Sequence, residues 1–153
     1  MNWRIQHKPQ EKDFSCSAAC VAMLLNIPES EARKICKTNS TGTHLHNVAT
    51  AIYNKGIFFK EIQANNDYKC IKVYLNLLSD TYPLICACDF RSRYNEKGRD
   101  RLLRHAILIY KRMIFDPSEK FECDTDCFEH TFNKSLLIKR YLICGFPIQE
   151  YKS

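Results

Sequence analysis

Residues 10–26 read QEKDFSCSAACVAMLLN, a stretch that begins polar and turns apolar at Cys16. No charged residue occurs between Cys16 and Leu25, whereas a helix on the surface of a globular protein shows polar residues every third or fourth position. The stretch therefore predicts a helix from Cys16 to Leu25 that is buried on nearly all sides. We expect the rest of the chain to pack around it.

Cys16 stands where this helix begins. The first turn of a helix leaves backbone N–H groups unpaired and carries a partial positive charge. A cysteine at this place is pushed toward the thiolate, the form that attacks carbonyl carbons. Cys16 is therefore the candidate nucleophile among the nine cysteines, and the alternative is a buried cysteine without a chemical role.

A base and its orienting group are predicted further along the chain. Residues 104–118 read RHAILIYKRMIFDPS, two short apolar runs joined by Lys111–Arg112. A tight hairpin would bring His105, at the head of the first run, beside Asp116 at the end of the second. A carboxylate there holds an imidazole in the productive tautomer. The alternatives are a surface histidine at a strand start and an Asp-Pro turn.

The order and spacing of these residues resemble a known family, the bacteriocin-processing peptidases of the papain superfamily, which cut leader peptides after a double glycine. The matching positions are Gln10, Cys16, His105, Asp116 and Pro117. The middle of the chain is also similar, with Thr41-Gly42-Thr43 before a predicted helix and Lys55-Gly56 before a predicted strand. The resemblance spans residues 6–145.

This resemblance implies a cysteine peptidase that cleaves a peptide or isopeptide bond through a thioester. Cys16 would be the nucleophile, His105 the proton carrier and Asp116 its orienting group. The Gln10 side-chain amide and the Cys16 backbone N–H would form the oxyanion hole, with Gln6 as the competitor for the role of Gln10. We expect a peptide or protein substrate and no metal or organic cofactor.

Two other functions use the same frame. Ser15 and Ser17 stand where the family usually has Asp and Gly, and a catalytically silent papain-like module that binds a protein partner is therefore the second hypothesis. A deamidase or acyltransferase acting through the same triad is the third. These three hypotheses differ in what attacks the thioester, which the residue types leave open.

Apolar periodicity and helix-ending residues predict one α+β domain over residues 1–153, with helices first and strands last. The resemblance implies that this domain is papain-like, with a helical N-terminal half and its central buried helix packed on a C-terminal antiparallel sheet. The predicted helices are Cys16–Leu25, Glu29–Cys36, Leu45–Asn54 and Asp67–Leu78. The predicted strands are Ile57–Gln63, Pro83–Phe90, Ala106–Tyr110, Met113–Phe115 and Leu136–Cys144. Pro83–Phe90 is apolar almost throughout, which predicts a central strand.

The cysteines and the N-terminal residues bear on the compartment. The chain has nine cysteines, an odd number that does not suit a disulfide framework. Residues 1–13 have no apolar core of the kind a signal peptide carries. Six cysteines that we interpret as small buried apolar residues are Cys20, Cys36, Cys70, Cys86, Cys88 and Cys144. No apolar run reaches the roughly 18 residues of a membrane span. We therefore expect a reducing, cytoplasmic location.

Much of the net charge of +6 lies in one segment, from Arg91 to Arg104. One interpretation is a solvated loop before the His105 strand. The other is a surface that guides an acidic partner to the site. Tyr94 is the one aromatic residue in this segment, so the base-stacking pattern of a nucleic-acid groove is absent and nucleic acid is disfavoured.

Cys123, Cys127 and His130 have a spacing that suits a zinc corner. A structural zinc site takes four ligands, and Cys86 or Cys88 would have to complete it from another strand. We take ordinary helix and loop residues as the default interpretation of this segment.

Overall fold

A computed structural model describes residues 3–92 and 103–147 of the chain. Its helices are α1 (Cys16–Leu25), α2 (Glu29–Ile35), α3 (Leu45–Asn54), α4 (Tyr68–Ser79) and α5 (Phe128–Thr131). Its strands are β1 (Phe59–Asp67), β2 (Leu84–Ser92), β3 (Leu103–Tyr110), β4 (Met113–Phe115), β5 (Cys123–Asp124) and β6 (Lys134–Cys144). The α+β prediction is confirmed, and α1, α3 and β4 have the predicted bounds.

The strands form one antiparallel sheet in the order β1-β6-β2-β3-β4-β5. β2 pairs with β6 on one side and β3 on the other, as its apolar run predicts. β6 follows the other strands in sequence but lies between β1 and β2. The sheet interior is therefore completed by its last strand.

α1 is the central helix that its sequence predicts. Seven of its ten residues are buried, from Ala18 to Leu24, and the helix contacts α2, α3 and β3. These elements enclose a core on one face of the sheet, while α4 and α5 cover a second core on the other. The N-terminus of α1 therefore lies against the sheet.

The predicted hairpin is present. Lys111 and Arg112 have φ values of 49° and 62°, the left-handed conformation that a two-residue hairpin turn requires. The register pairs Tyr110 with Met113 and Leu108 with Phe115. Since side chains alternate along a strand, the chain then brings Asp116 to the same face of the sheet as His105.

The largest differences from prediction lie where polar sequence forms a strand. β1 begins at Phe59 and runs on to Asp67, with a register shift between Gln63 and Asn66. The residues ANND are typical of a loop, yet β1 is an edge strand and its polar side chains remain solvated. β5 and α5 are too short for their periodicity to be read from sequence.

Five of the six cysteines predicted to be buried are buried, but the prediction for Cys70 is wrong. α4 buries the side that carries Tyr68 and Leu75, and Cys70 lies on the exposed side. All nine cysteines fall within the described residues and all are free thiols.

Two expectations concern large features of the chain. Within residues 3–92 and 103–147, no helix has the length and apolar character needed to cross a membrane. Residues 93–102, most of the basic segment interpreted as a loop or a partner-guiding surface, lie outside the described residues.

Candidate active site

Cys16 meets the sheet where β3 has an open edge. β4 ends at Phe115, which pairs with Leu108, so β4 does not cover β3 at His105 and Ala106. Cys16, the first residue of α1, is partly buried here. Its sulfur contacts the His105 side chain and the backbone groups of Ala106 and Ser17. The predicted nucleophile and base therefore lie in contact, although 89 residues (105 − 16) separate them in sequence.

The pKa of the Cys16 thiol is lowered by this environment. Burial alone would raise it, but the hydrogen bond and the charge of His105 outweigh burial, and hydrogen bonds from the backbone of Ala106 and Ser17 add to their effect. A lowered pKa favours the thiolate, which is the attacking form. The remaining cysteine of α1, Cys20, is fully buried, and burial raises the pKa of its thiol well above the usual value.

His105 is held by Asp116. Its Nε2 donates a 2.6 Å hydrogen bond to Asp116 Oδ1, and the two residues are 7% and 1% exposed. Because Nε2 is occupied, Nδ1 is the ring nitrogen left for the sulfur. Burial would lower the pKa of His105, but the hydrogen bonds and charges of Asp116 and Cys16 raise it to about 9. The geometry thus favours an imidazolium beside a thiolate.

Asp116 makes more contacts than its predicted role needs. Oδ1 also accepts hydrogen bonds from the Ser118 N–H at 2.9 Å and the Ser118 hydroxyl at 2.7 Å. Oδ2 accepts a 2.5 Å hydrogen bond from Lys134 Nζ. Burial would raise the pKa of this carboxyl, yet His105 and then Lys134 hold it well below its usual range. Asp116 is therefore an anion with both oxygens fixed.

Gln10 lies beside the loop that contains Asp116 and Pro117. Its backbone N–H donates to Pro117 O at 2.7 Å, which ties the N-terminal segment to the residue after Asp116. Its side-chain nitrogen donates to Lys12 O at 2.8 Å and Asp13 O at 3.2 Å. Both donors are thus engaged with backbone carbonyls of the loop before Cys16. The competing Gln6 is exposed.

A buried carboxylate fixes the loop between Gln10 and Cys16. Glu29, at the start of α2, is 5% exposed. Its two oxygens each accept the Glu11 N–H at 3.1 Å, and Oε1 also accepts the Ser15 hydroxyl at 3.1 Å. Ser15 Oγ in turn accepts the Lys12 N–H at 3.0 Å. The path from Gln10 to Cys16 is therefore fixed by side chains rather than by helix or sheet.

Three residues of this site, Lys134, Ser118 and Glu29, are absent from the sequence prediction. Lys134 has the inward parity of Leu136 and Ile138 on β6, and a lysine at an inward position requires a buried partner. Ser118 follows Asp-Pro, where an aspartate commonly bonds the backbone two residues on. Glu29 carries only the signal of an acidic first turn.

The zinc interpretation gains no support from the geometry. Cys123 lies in β5, Cys127 precedes α5 and His130 lies within α5. Across the two described ranges, no group of three or more His, Cys, Asp or Glu side chains is arranged to hold a metal ion.

Comparisons with known proteins agree with this geometry at the level of the fold. No protein-family model matches the chain, and no curated protein matches it. Solved structures do, and among them are double-glycine peptidase domains of the papain-like class. The chain therefore has a papain-like fold, as the sequence resemblance implies.

Three of these structures give the extent of the likeness. A double glycine motif protease from an AMS/PCAT transporter, solved with a leader peptide, is 20% identical with a TM-score of 0.53 over 89% of this chain and 91% of that one. The peptidase domain of Streptococcus ComA is 20% identical, with a TM-score of 0.54 over 89% and 98%. The Streptococcus mutans ComA domain with an inhibitor is 18% identical, with a TM-score of 0.56 over 93% and 98%.

Proposed function

We propose that this chain is a cysteine peptidase in which Cys16, His105 and Asp116 act as a catalytic triad. The observation that carries the proposal is the continuous contact from the Cys16 sulfur through His105 to Asp116, with the pKa of the thiol lowered and that of the imidazole raised. The likeness to peptidase domains supports the same class.

The first half of the reaction forms a thioester. The Cys16 thiolate attacks the carbonyl carbon, and the oxygen becomes an anion. The Cys16 backbone N–H and the Gln10 amide stabilise this oxyanion. For Gln10 to do so, one of its hydrogen bonds must move from the loop, and the 3.2 Å bond to Asp13 O is the longer of the two. His105 then gives its proton to the leaving amine.

Water completes the cycle. His105, now neutral, takes a proton from the water that attacks the thioester, and the acid product leaves as the thiolate is restored. Asp116 orients the ring through both steps. This chemistry requires the thiol to stay reduced, and the nine free cysteines fit the cytoplasmic location that we propose.

The proposed substrate is a peptide, since one structural relative was solved with a leader peptide bound. The test is a peptide-library digestion read by mass spectrometry, with Cys16→Ala as the control. Two fragments that together gain one water, present only with the wild type, are expected. A single product in which an amide has become an acid would assign a deamidase. No product in either sample would favour the binding module.

A further inference from the structure

Lys134 is a buried ammonium that the triad does not account for. It opens β6, is 5% exposed, and donates to Asp116 Oδ2 at 2.5 Å, Glu119 Oε1 at 2.8 Å and Ser118 Oγ at 2.9 Å. Burying a lysine is costly unless it is paired. The burial of this charge therefore indicates that Lys134 has a role besides packing.

We propose that Lys134 is a positioning residue of the triad, which holds Asp116 as a fixed anion with Oδ1 directed at His105. The inference rests on the proposed function, because it assigns a role within that site. The polar contacts of Lys134 are with Asp116, Ser118 and Glu119, and it acts on His105 through Asp116.

The division of the Asp116 oxygens is the first argument. Oδ1 receives His105 and Ser118, while Oδ2 receives Lys134. Without a donor on Oδ2, the carboxyl group could rotate or protonate on that oxygen. With Lys134 in place, rotation would break a charge-assisted hydrogen bond on each side. Lys134 therefore fixes the orientation of the group that fixes His105.

The charge balance is the second argument. When the Cys16–His105 pair is ionised, three anions (Cys16, Asp116 and Glu119) face two cations (His105 and Lys134). Removal of Lys134 would leave three anions with one cation in a buried site, which favours protonation of Asp116. Cys88 on β2 also lies near Asp116 and Lys134. Burial raises the pKa of its thiol far above the usual value, so the thiol stays neutral.

A ring shared by Lys134 and His105 is the third argument. Lys134 Nζ lies 5.1 Å from the centroid of Phe90, and the His105 ring packs edge-on against Phe90 with centroids 5.1 Å apart. Phe128 and Phe132 also face the ammonium, at 5.8 and 5.9 Å. Cation–π contacts hold the ammonium where it reaches Asp116. The Phe90 ring contacts both Lys134 and His105 and so fixes their relative positions.

The test measures Cys16 alkylation by iodoacetamide against pH in Lys134→Met, which keeps the length of the side chain and removes its charge. We expect the pH midpoint of alkylation to rise by about one unit or more, which lowers the rate roughly tenfold at any pH below the wild-type midpoint. Lys134→Arg, which keeps the charge, should restore part of the rate. Lys139→Met, an exposed lysine on the same strand, is the matched control and should leave the profile unchanged.

A double-mutant cycle with Asp116→Asn identifies the route. If Lys134 acts through Asp116, Lys134→Met should shift the midpoint much less when Asp116→Asn is already present, and this doubly neutral variant also leaves fewer buried charges. An equal shift in both backgrounds, or a wild-type profile in Lys134→Met, overturns the proposal. If Lys134→Met does not fold, Lys134→Gln, a neutral donor, serves in its place.

The readout separates this proposal from the proposed function, since alkylation needs no substrate. If the wild-type Cys16 midpoint is that of an ordinary cysteine, the triad itself is wrong. If the wild-type midpoint is low and Lys134→Met matches it, the triad remains and Lys134 is only a structural tie between β6 and the Asp116 loop.

Discussion

Cys16 and His105 form an acid–base pair: the pKa of the thiol is lowered and the pKa of the imidazole is raised, and both shifts favour ionisation. The thiolate exists above the lowered pKa of Cys16, and the imidazolium persists until the pH passes about 9. Between these limits the sulfur is charged while the proton needed by the leaving group stays on His105. For the proposed triad, this range of pH is the expected working range.

The first prediction is that iodoacetamide alkylates Cys16 before any other cysteine at pH 6. The rate should reach its plateau at a lower pH than the rates of the other cysteines, because His105 lowers the pKa of the Cys16 thiol. Cys70 and Cys127 are exposed and serve as internal comparators that reagent can reach. In His105→Ala the rate should instead rise only near the ordinary cysteine pKa of about 8.5. Faster labelling at Cys70 or Cys127 in the wild type would remove Cys16 as nucleophile.

The second prediction is that Asp116→Asn lowers stability at pH 7 as well as turnover. The substitution leaves Lys134 with one carboxylate, Glu119, so the loss should be below the roughly 3–5 kcal/mol of an unpaired buried charge. The folded pKa of Asp116 is depressed, so its contribution is present above the unfolded pKa of about 3.9 and declines as the pH falls. The wild type and the variant should therefore converge in acid.

Thermal and urea unfolding across pH 2–7 measure this difference. Asp126→Asn is the control, because Asp126 makes a salt bridge with Lys72 but its side chain is 75% exposed. It should change the free energy of unfolding by less than about 1 kcal/mol. A constant gap between the wild type and Asp116→Asn at every pH would mean that the ion pairs do not supply the stability.

The third prediction is that Gln10→Ala reduces turnover by roughly a hundredfold or more, the usual loss for one oxyanion donor. Alkylation of Cys16 should be almost unchanged, because iodoacetamide forms no tetrahedral oxyanion. Gln6→Ala is the matched control and should be neutral in both assays. If alkylation slows as much as turnover, Gln10 acts through its hydrogen bonds to Lys12 and Asp13, as a support for the loop.

At the scale of elements, the β3–β4 hairpin sets the spacing between base and orienting group. Its two turn residues both have positive φ although neither is glycine or asparagine. A left-handed residue of this kind costs roughly 1–2 kcal/mol. The register, and so the contact of His105 with Asp116, is thus held by strand pairing against a local cost.

The fourth prediction is that Lys111→Asn raises the thermal midpoint, because asparagine tolerates the left-handed conformation better than lysine. We expect a gain of several tenths to about 1 kcal/mol, with the Cys16 alkylation profile unchanged. Lys120→Asn is the control at an exposed lysine without positive φ. A loss of stability in Lys111→Asn would show that the lysine side chain contributes more than the backbone relief.

Local patterns account for what could be predicted from the sequence. The uncharged run after Cys16 predicts α1, and the break at Lys111–Arg112 predicts the hairpin that joins His105 to Asp116. The alternation of buried residues along β6 marks Lys134 as an inward lysine, but its partners could not be identified this way, because Asp116 and Glu119 reach it across the sheet. The prediction for Cys70 is wrong because it rests on residue type alone, whereas helical spacing places Cys70 away from the side of α4 that carries Tyr68 and Leu75. The Glu29 contact with Ser15 likewise depends on how α2 packs beside the loop.

At the scale of the molecule, the two cores lie on opposite faces of the sheet. The nucleophile comes from α1 on one face, while His105 and Lys134 have the strand parity of Ile107 and Leu136, which belong to the other core. The site is therefore formed where the open edge of β3 lets the two sides meet, and its geometry depends on both cores being packed.

The position of β6 has a consequence for the order of synthesis. A ribosome makes roughly 5–20 residues per second, so Cys16 emerges on the order of ten seconds before Cys144. During that interval β1 and β2 have no strand between them, and Lys134 has not reached Asp116. We expect the nascent thiol to stay unreactive until β6 inserts. Ribosome-stalled chains that expose residues 1–132 should alkylate slowly at Cys16, and chains that expose residues 1–147 should alkylate fast. Equal rates would contradict this. The proposed peptidase would then be spared from cutting its own unfinished chain.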